Sequence, residues 1–573
     1  MRESEVTDAA TSRCMLAEVV GPRALRFQKG SGMAKSVLQI DPRDNVVVAL
    51  TPLTAGSAVQ IGTSTLHVAE AVPAKHKVAL AELTPGDVIR LYGMVVGEAT
   101  ATIPRGGRLT QQNVRHRTEA YTATRHPVTY QLPDASAWAG RTFMGYRRAD
   151  GQVGTRNYWL VLPLVFCENR NVEQMRDALE EELGYASARS SYRQHVRGLV
   201  AGRAGNDAKV AQATREERVF PHLDGIRFLT HQGGCGGTRE DARALCGLLA
   251  GYIHHPNVAG ATVLSLGCQN AQASMLMEEL EKRDPKRTKP VLIFDQQKTG
   301  RENVLMTRAL NDTFAALEEA DGARRAAAPI SALTVGLKCG GSDGFSGISA
   351  NPMIGYLSDV LGALGGTTLL SEFPELHGVE QELINRCATD ALAQRFYELM
   401  QAYAARARAV HSGFEMNPSP GNIEDGLITD AIKSAGAARK GGVALVKDVL
   451  DFPEYATTPG LNLLCTPGND VEAVTAQTGA GASLVLFTTG LGTPTGNPIA
   501  PVVKIATNSA LAARMDDIID FDAGGIVTGE TTIPECAGRL MELCIEVASG
   551  ERQTRAELLG QNDFIPWKRG VSL

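Results

Sequence analysis

The sequence predicts an α/β protein with a small all-β module ahead of it. Three observations predict this. Beyond about residue 141, short apolar runs alternate with longer amphipathic stretches, the pattern of buried parallel strands joined by helices. Before residue 106, short alternating or β-branched runs are separated by turn signals such as Asp41-Pro42 and Pro85-Gly86. Between the two lies a polar stretch with little periodicity.

At 573 residues, 43% hydrophobic and 21% charged, the chain is long enough for two or three domains with sizeable cores. Lys plus Arg number 57 against 63 Asp plus Glu, a net charge of -6, and aromatics make up 5%. A nucleic-acid groove needs positive charge and stacking rings, so that partner is excluded. No apolar run approaches the roughly 20 residues that span a bilayer, and no apolar leader with a cleavage site opens the chain. The expectation is a cytoplasmic protein without a membrane partner, its 10 cysteines held reduced.

Taken in order, residues 1–33 read as a tail or start-site extension, because the first clean pattern, MAKSVLQI, opens at Met33. Residues 34–105 carry short strands at Ser36–Ile40, Asn45–Ala49, Ala58–Ile61, Thr65–Val68, Lys77–Ala81 and Asp87–Leu91, which predicts a compact barrel-like or clip-like module. Residues 106–140, rich in Arg, Thr, Gln and His, read as a linker that permits motion. Beyond the linker, strands are expected at Trp159–Phe166, Ile226–Thr230, Ala261–Leu266, Val291–Phe294, Leu333–Leu337, Thr367–Leu370, Val443–Val446, Leu461–Leu464, Leu484–Thr488 and Val502–Ala506. Helices are expected between them, for example over Val172–Leu183, Arg239–Ile253 and Gln381–Ala407.

Chemistry in such folds sits past the carboxyl ends of the strands, and several strands here run into a cysteine. WLVLPLVF ends in Cys167, IRFLTHQGG in Cys235, ATVLSLG in Cys268 and ALTVGLK in Cys339, while Cys465 comes directly after LNLL. Glycines flank three of them, in GGCGG, LGCQN and KCGGSDG, and glycine lets the backbone approach a ligand closely. Buried thiols that merely end strands are the ordinary reading of one such residue. The repeated context points instead to thiolates able to hold iron. The spacing is not CxxC, so a zinc ribbon is excluded.

Oxygen ligands appear at strand ends as well. Ser342 and Asp343 come shortly after Cys339, and Glu372 and Glu375 lie in SEFPE. Asn417 lies in NPSPGN, Asn469 and Asp470 in TPGND, and Asp520 and Asp522 in DFDAG. A divalent cation takes such oxygens, and a hydroxy acid would complete its shell. The loop GLGTPTGNP, with Gly492 and Thr493, matches neither nucleotide fingerprint. Its backbone N–H groups are candidates to meet a substrate carboxylate, with Lys504 in PVVKIATNS adding charge. In the β module, AKHKVAL places His76 and Lys77 at a strand start. Adjacent strand residues face opposite ways, so one of the pair can reach out of the module.

Taken together, these strings resemble the altronate dehydratase and galactarate dehydratase family of sugar-acid dehydratases. The resemblance is carried by DNVVVAL, HKVALAEL, GYRRADGQVGTRN, GCGGTRED, LGCQNAQ, KCGGSDGFSGISANPMIGYLSD, GGTTLLSEFPELHGVEQ, TPGLNLLCTPGND and TTGLGTPTGNPIAPVVKIATNS, and it runs from about residue 36 to the C-terminus. One departure is Gly233-Gly234-Cys235, where the family pattern has an aromatic and a glycine before the cysteine. The resemblance implies a SAF-like β-clip domain over 34–105, a central α/β dimerisation domain over 141–325, and a Rossmann-like metal-binding domain over 326–573, with mostly parallel sheets. It also implies a homodimer, a small-molecule sugar acid as partner, and Fe2+ or Mn2+ as cofactor.

Dehydrating an aldonate means removing a weakly acidic proton α to a carboxylate and expelling the β-hydroxyl. A metal stabilises the enediolate-like intermediate, while a base and an acid move the protons. His76, Lys77 and Lys504 are the catalytic candidates. Cys167, Cys235, Cys268, Cys339, Asp343 and Glu372 are the metal candidates, and Ser342, Asn417, Asn469, Asp470, Gly492 and Thr493 the substrate-binding ones. Two metal arrangements stay open: a lone Fe2+ or Mn2+ among oxygens, or three thiolates holding an iron–sulfur cluster. Altronate is the expected substrate, galactarate the alternative, and a non-catalytic sugar-acid-binding module the reading from another class.

Overall fold

The structure, a computed structural model, describes residues 35–185, 195, 196, 198–200 and 218–572. The proposed tail over 1–33 lies outside the described residues. The N-terminal module is made of short antiparallel pairs. Val37–Leu38, Val46–Ala49 and Lys77–Ala79 form one sheet, Ala58–Ile61 and Ser64–His67 a hairpin, and Val88–Leu91, Met94–Ala99 and Val114–Arg115 a third unit. The strand VVVA explains how the module is seated. Successive side chains point to opposite faces. Val47 and Ala49 pack into the module's own core with Leu66 and Val78, while Val46 and Val48 join the large core that continues into the C-terminal sheet. The module is therefore fixed to the body through apolar surface.

The sequence pattern places the end of this module at residue 105, and the structure carries it further. Leu109 N–H bonds to Lys77 O at 3.0 Å, and Val114–Arg115 pairs with Glu98 and Ala99. A strand of two residues is too short to show alternation, so it reads as linker. The next residues lie across the C-terminal unit. His116 stacks on His377 at 5.2 Å between ring centroids. Thr122 N–H bonds to Gln381 Oε1 at 3.0 Å, and Arg125 reaches Asp390 and the Cys387 carbonyl. Polar composition here signals a surface-bound strap held by side-chain hydrogen bonds.

The central section is a four-stranded parallel sheet in the order Gly225–Phe228, Tyr158–Pro163, Val258–Ser265, Val291–Asp295. Helices Asn169–Glu182, Arg239–His254, Ala273–Arg283 and Glu302–Ala320 cover it. Trp159 and Val161 face one helical layer and Leu160 and Leu162 the other, which is why this strand is apolar throughout. A small antiparallel sheet of Val153–Gly154, Thr142–Arg147 and Arg325–Pro329 closes the section by joining its two ends. RAAAP carries almost no β-propensity, so its strand is invisible in the sequence.

The C-terminal section is a seven-stranded sheet, parallel throughout, in the order Val446–Leu450, Gly460–Leu464, Thr367–Leu370, Thr334–Cys339, Leu484–Thr489, Val502–Ala506, Phe521–Asp522. The expected single helix over Gln381–Ala407 is two, Glu380–Arg386 and Asp390–Ala409. Cys387 between them bridges to Val446, and Thr389 caps the second helix by accepting from Leu392 N–H. From Cys339 the chain leaves toward one side of the sheet and returns at Leu484 on the other. A crevice opens at such a switch point, beyond the carboxyl ends of the strands. Among the described residues no helix is long and apolar enough to cross a membrane.

Candidate active site

Lys338 and Cys339 end the strand at the switch point, and both are buried. Lys338 Nζ donates to Glu372 Oε1 and pairs with Asp470 Oδ1 at 2.9 Å. Lys440 Nζ lies 2.8 Å from both Glu372 Oε2 and Cys339 Sγ. The Cys339 thiol donates to Glu375 Oε2 at 3.2 Å. Lys433 Nζ completes the ring, 2.9 Å from Glu375 Oε1 and 2.6 Å from Asn417 Oδ1. Three carboxylates (Glu372, Glu375, Asp470) thus face three ammonium groups (Lys338, Lys433, Lys440). Removing each charge from water costs several kcal/mol, so this balance is what makes the burial tolerable.

Glu372 sits at φ +69°, a left-handed conformation that costs a non-glycine residue about 1–2 kcal/mol. Thr466 Oγ1 holds it there by accepting Glu372 N–H at 2.9 Å. The fields in the cluster are strong. Burial and the Glu375 carboxylate push the Cys339 thiol up to about 12. Burial would raise the Glu375 carboxyl, yet Lys433, Lys338 and Lys440 outweigh it and hold it well below the usual range.

Cys339 Sγ and one oxygen each of Glu372 and Glu375 lie within 4.8 Å of one another. One ion can be shared across that distance, and two carboxylates with a thiolate suit a first-row divalent metal. The ammonium groups occupy the same oxygens, so an ion would enter by taking an ammonium's place, with loss of the thiol proton. The residues fit such a metal in kind and in spacing.

The β module forms the neighbouring wall. Lys75, at φ +75°, places Nζ 3.1 Å from both Asp343 Oδ2 and Asp425 Oδ1. Its turn is wedged between Gly344 and Gly426, where an added Cβ would lie 2.5 Å from the Lys75 carbonyl in each case. Lys77 is fully buried and donates to Gly426 O at 2.6 Å and Lys75 O at 3.1 Å. Burial brings its pKa down to about 7. His76 Nε2 bonds to Glu424 O at 3.0 Å, and its Nδ1 is buried without a partner among the described residues. Burial lowers the His76 pKa, which favours the neutral ring.

The structure brings Cys339 and Glu372 into one cluster, with Asp470 and Asn417 attached through lysines. It does not bring the other metal candidates there. Asp343 is outside the three-ligand group. Its oxygens accept from Ser346, Thr507 and Asn508 and pair with Lys75, so it ties the loop to the module. Cys167, Cys235 and Cys268 are exposed thiols of the central sheet. Ser342 Oγ is buried without a partner among the described residues.

Asn469 caps the helix Asp470–Gly479, its Oδ1 accepting from Val471 and Glu472 N–H. The expected anion loop is also spent on its own fold. Gly490 and Leu491 N–H both bond to Gly341 O at 2.9 Å, and Gly492 N–H bonds to Thr489 Oγ1. Thr493 stays at the crevice, its Oγ1 3.1 Å from where a Cβ on Gly341 would lie. Lys504 is removed from the cluster. It is buried in its strand with Nζ 2.6 Å from Gln561 Oε1, and burial lowers its pKa to about 8.

Sequence reasoning passed over Lys75, Lys338, Lys433 and Lys440. A lysine inside the apolar run ALTVGLKC was a signal, because an unpaired ammonium is not buried in a parallel sheet. Lys433 and Lys440, seven apart, would share one side of a helix. Lys75 has the same strand parity as Lys77 in AKHKVAL.

Three family models match in tandem. "Altronate/galactarate dehydratase SAF domain" covers residues 35–117, "D-galactarate dehydratase/Altronate hydrolase, second domain" 145–321, and "D-galactarate/Altronate dehydratase, C-terminal" 330–572. Altronate dehydratase of Escherichia coli (strain K12) is 34% identical over 541 residues, 94% of this chain and 99% of that relative. Altronate dehydratase of Bacillus subtilis (strain 168) is 33% identical over 545 residues, 94% of this chain and 100% of the relative. Galactarate dehydratase (L-threo-forming) of Escherichia coli (strain K12) is 31% identical over 531 residues, 91% and 94% of the two chains.

Proposed function

The chain belongs to the altronate/galactarate dehydratase family, and from that premise we propose that it converts D-altronate to 2-dehydro-3-deoxy-D-gluconate in hexuronate catabolism, as a cytoplasmic homodimer using Fe2+ or Mn2+. It is a hydro-lyase of sugar acids. The observation that carries the reading is the cluster of Cys339, Glu372 and Glu375 at the switch point, beside a wall formed by Lys75, His76 and Lys77. Identity and coverage are higher for the two altronate dehydratases than for the galactarate dehydratase, which supports altronate.

Cys339, Glu372 and Glu375 would hold the ion. Bound there, it supplies Lewis acidity toward the carboxylate and hydroxyl of a hydroxy acid. The protein's own groups do the rest. With the Nε2 proton of His76 donated to the Glu424 carbonyl, the lone pair on its Nδ1, which has no partner among the described residues, is available as the base for the α-proton. Lys75 stays protonated because Asp343 and Asp425 outweigh its burial, and it serves as the fixed cation beside the leaving hydroxyl. Lys77 holds the turn that carries both. Ser342 Oγ offers an unused hydrogen bond to a substrate hydroxyl.

The test is turnover by reduced, Fe(II)-loaded protein. A higher kcat/KM on altronate than on galactarate is expected. The reverse order would make the chain a galactarate dehydratase, and turnover of neither acid would remove the enzymatic reading.

A further inference from the structure

Three cysteines remain outside the cluster at the switch point, and they share one place. The strands that precede them, Gly225–Phe228, Tyr158–Pro163 and Val258–Ser265, are direct neighbours in the central parallel sheet. Cys235, Cys167 and Cys268 lie just past the carboxyl ends of these strands, on one edge. The three loops are bonded to one another. Phe166 N–H donates to Gly233 O at 3.1 Å, and Ala271 N–H donates to Gly234 O at 3.0 Å.

The contact between the loops is backbone on backbone. At Gly234, φ +95°, an added Cβ would fall 2.1 Å from Leu164 O, so only glycine allows this approach. His231 braces the same loop with both ring nitrogens. Its Nε2 bonds to Pro163 O at 2.8 Å, and its Nδ1 accepts Gly233 N–H at 3.1 Å. That leaves His231 no lone pair for a metal.

All three thiols are exposed and free. Cys235 opens on a cavity of about 610 Å3 between the central sheet and the C-terminal segment, with Asn169, Asn270 and Lys568 in its wall. Gln297 Nε2 donates to Cys268 Sγ at 3.2 Å. This neutral amide compensates a thiolate or sulfide at Cys268 without competing as a ligand.

We propose that Cys167, Cys235 and Cys268 form a second metal site, independent of Cys339, and that it takes an iron–sulfur cluster bound by three thiolates, with one iron left without a protein ligand. Spacing decides between this and a single soft ion. Two thiolates on one zinc ion lie at most about 4.6 Å apart, twice the metal–sulfur bond. Among the described residues the only trio with ligand atoms within 4.8 Å is Cys339, Glu372 and Glu375. The three exposed thiols are thus too far apart to share one ion as placed, whereas the corners of a cluster are held by thiolates set farther apart. Binding releases the three thiol protons.

The full-length protein, purified without oxygen and reconstituted with ferrous and ferric iron and sulfide, tests this by iron and acid-labile sulfide analysis and by electron paramagnetic resonance after reduction. Iron matching sulfide is expected in Cys339→Ser, and the same sulfide with one further iron per chain at the Cys339 site in the wild type, with loss of sulfide in the triple variant Cys167→Ser, Cys235→Ser, Cys268→Ser. A readout on the wild-type protein guards against a variant that does not fold. Alkylation of Cys167, Cys235 and Cys268, read by peptide mass spectrometry, should be blocked in the reconstituted protein and restored after the cluster is chelated. Iron without sulfide, zinc in its place, sulfide retained by a folded triple variant, or alkylation unchanged by reconstitution would each overturn the proposal.

Discussion

Cys339 ends a strand of a parallel sheet and Cys235 comes shortly after one, and each has glycine next in the chain, yet their surroundings are opposite. Cys339 is sealed among two glutamates and the ammonium groups of Lys338 and Lys440. Cys235 is exposed on an open cavity whose wall mixes amides, glycine backbone, aromatic rings and a few charged side chains. The comparison teaches that a strand-end cysteine fixes position only. Whether it meets hard oxygen or other thiols depends on what the neighbouring strand ends carry. Beside Cys339 that is SEFPE, and beside Cys235 it is two further cysteines.

The buried cluster should suffer most from a single change. Glu372→Ala leaves Lys440 without its carboxylate and Lys338 with Asp470 alone, and removing one partner of a buried pair costs roughly 3–5 kcal/mol. Denaturant unfolding checks this. A loss under about 1 kcal/mol, the scale of an exposed pair, would mean that the cluster is wet and the contrast with Cys235 false. Lys75→Met comes next. It strips the fully buried Asp343 of its cation, an expected loss of about 1–3 kcal/mol together with a fall in kcat. Unchanged kcat in a folded variant would restrict Lys75 to holding the module in place.

Lys77 gives a pH signature. Its folded pKa, about 7, lies below the ordinary 10.5. Below pH 7 both states are protonated and the burial penalty is constant. Between about 7 and 10.5 the unfolded chain holds the extra proton, so stability rises with pH by up to about 1.4 kcal/mol per unit. Thermal melts of wild type and Lys77→Met across that window should diverge in favour of the wild type with rising pH. Parallel curves would show that Lys77 is already charged when buried. The smallest effect belongs to the open crevice, where Cys268→Ser should change the stability of the metal-free protein by no more than about 0.5 kcal/mol. A larger loss would make Cys268 part of the packing.

The long apolar strands were readable because burial on both faces leaves an unbroken run, as in YWLVLP and LVLFTT. The pairing of Thr142–Arg147 with Arg325–Pro329 was not, since it joins segments far apart in the chain and one is mostly alanine. Cysteines and acids at strand ends were visible one strand at a time. That Cys339 and the other three lie on different sheets depends on strand order, and strand order is not written in local pattern. The lysines were missed because a lysine declares itself only through its partner. Lys338 needs Glu372, and Lys75 needs Asp343 from another domain.

The most direct measurement is altronate turnover together with bound metal, in the wild-type chain and in Glu375→Gln, before and after chelation. Wild-type turnover should be lost on chelation and return with Fe(II) or Mn(II), while folded Glu375→Gln should bind neither ion and turn over no altronate. Full turnover in Glu375→Gln, or in rigorously chelated wild-type protein, would contradict the assignment of Cys339, Glu372 and Glu375 as the catalytic metal site.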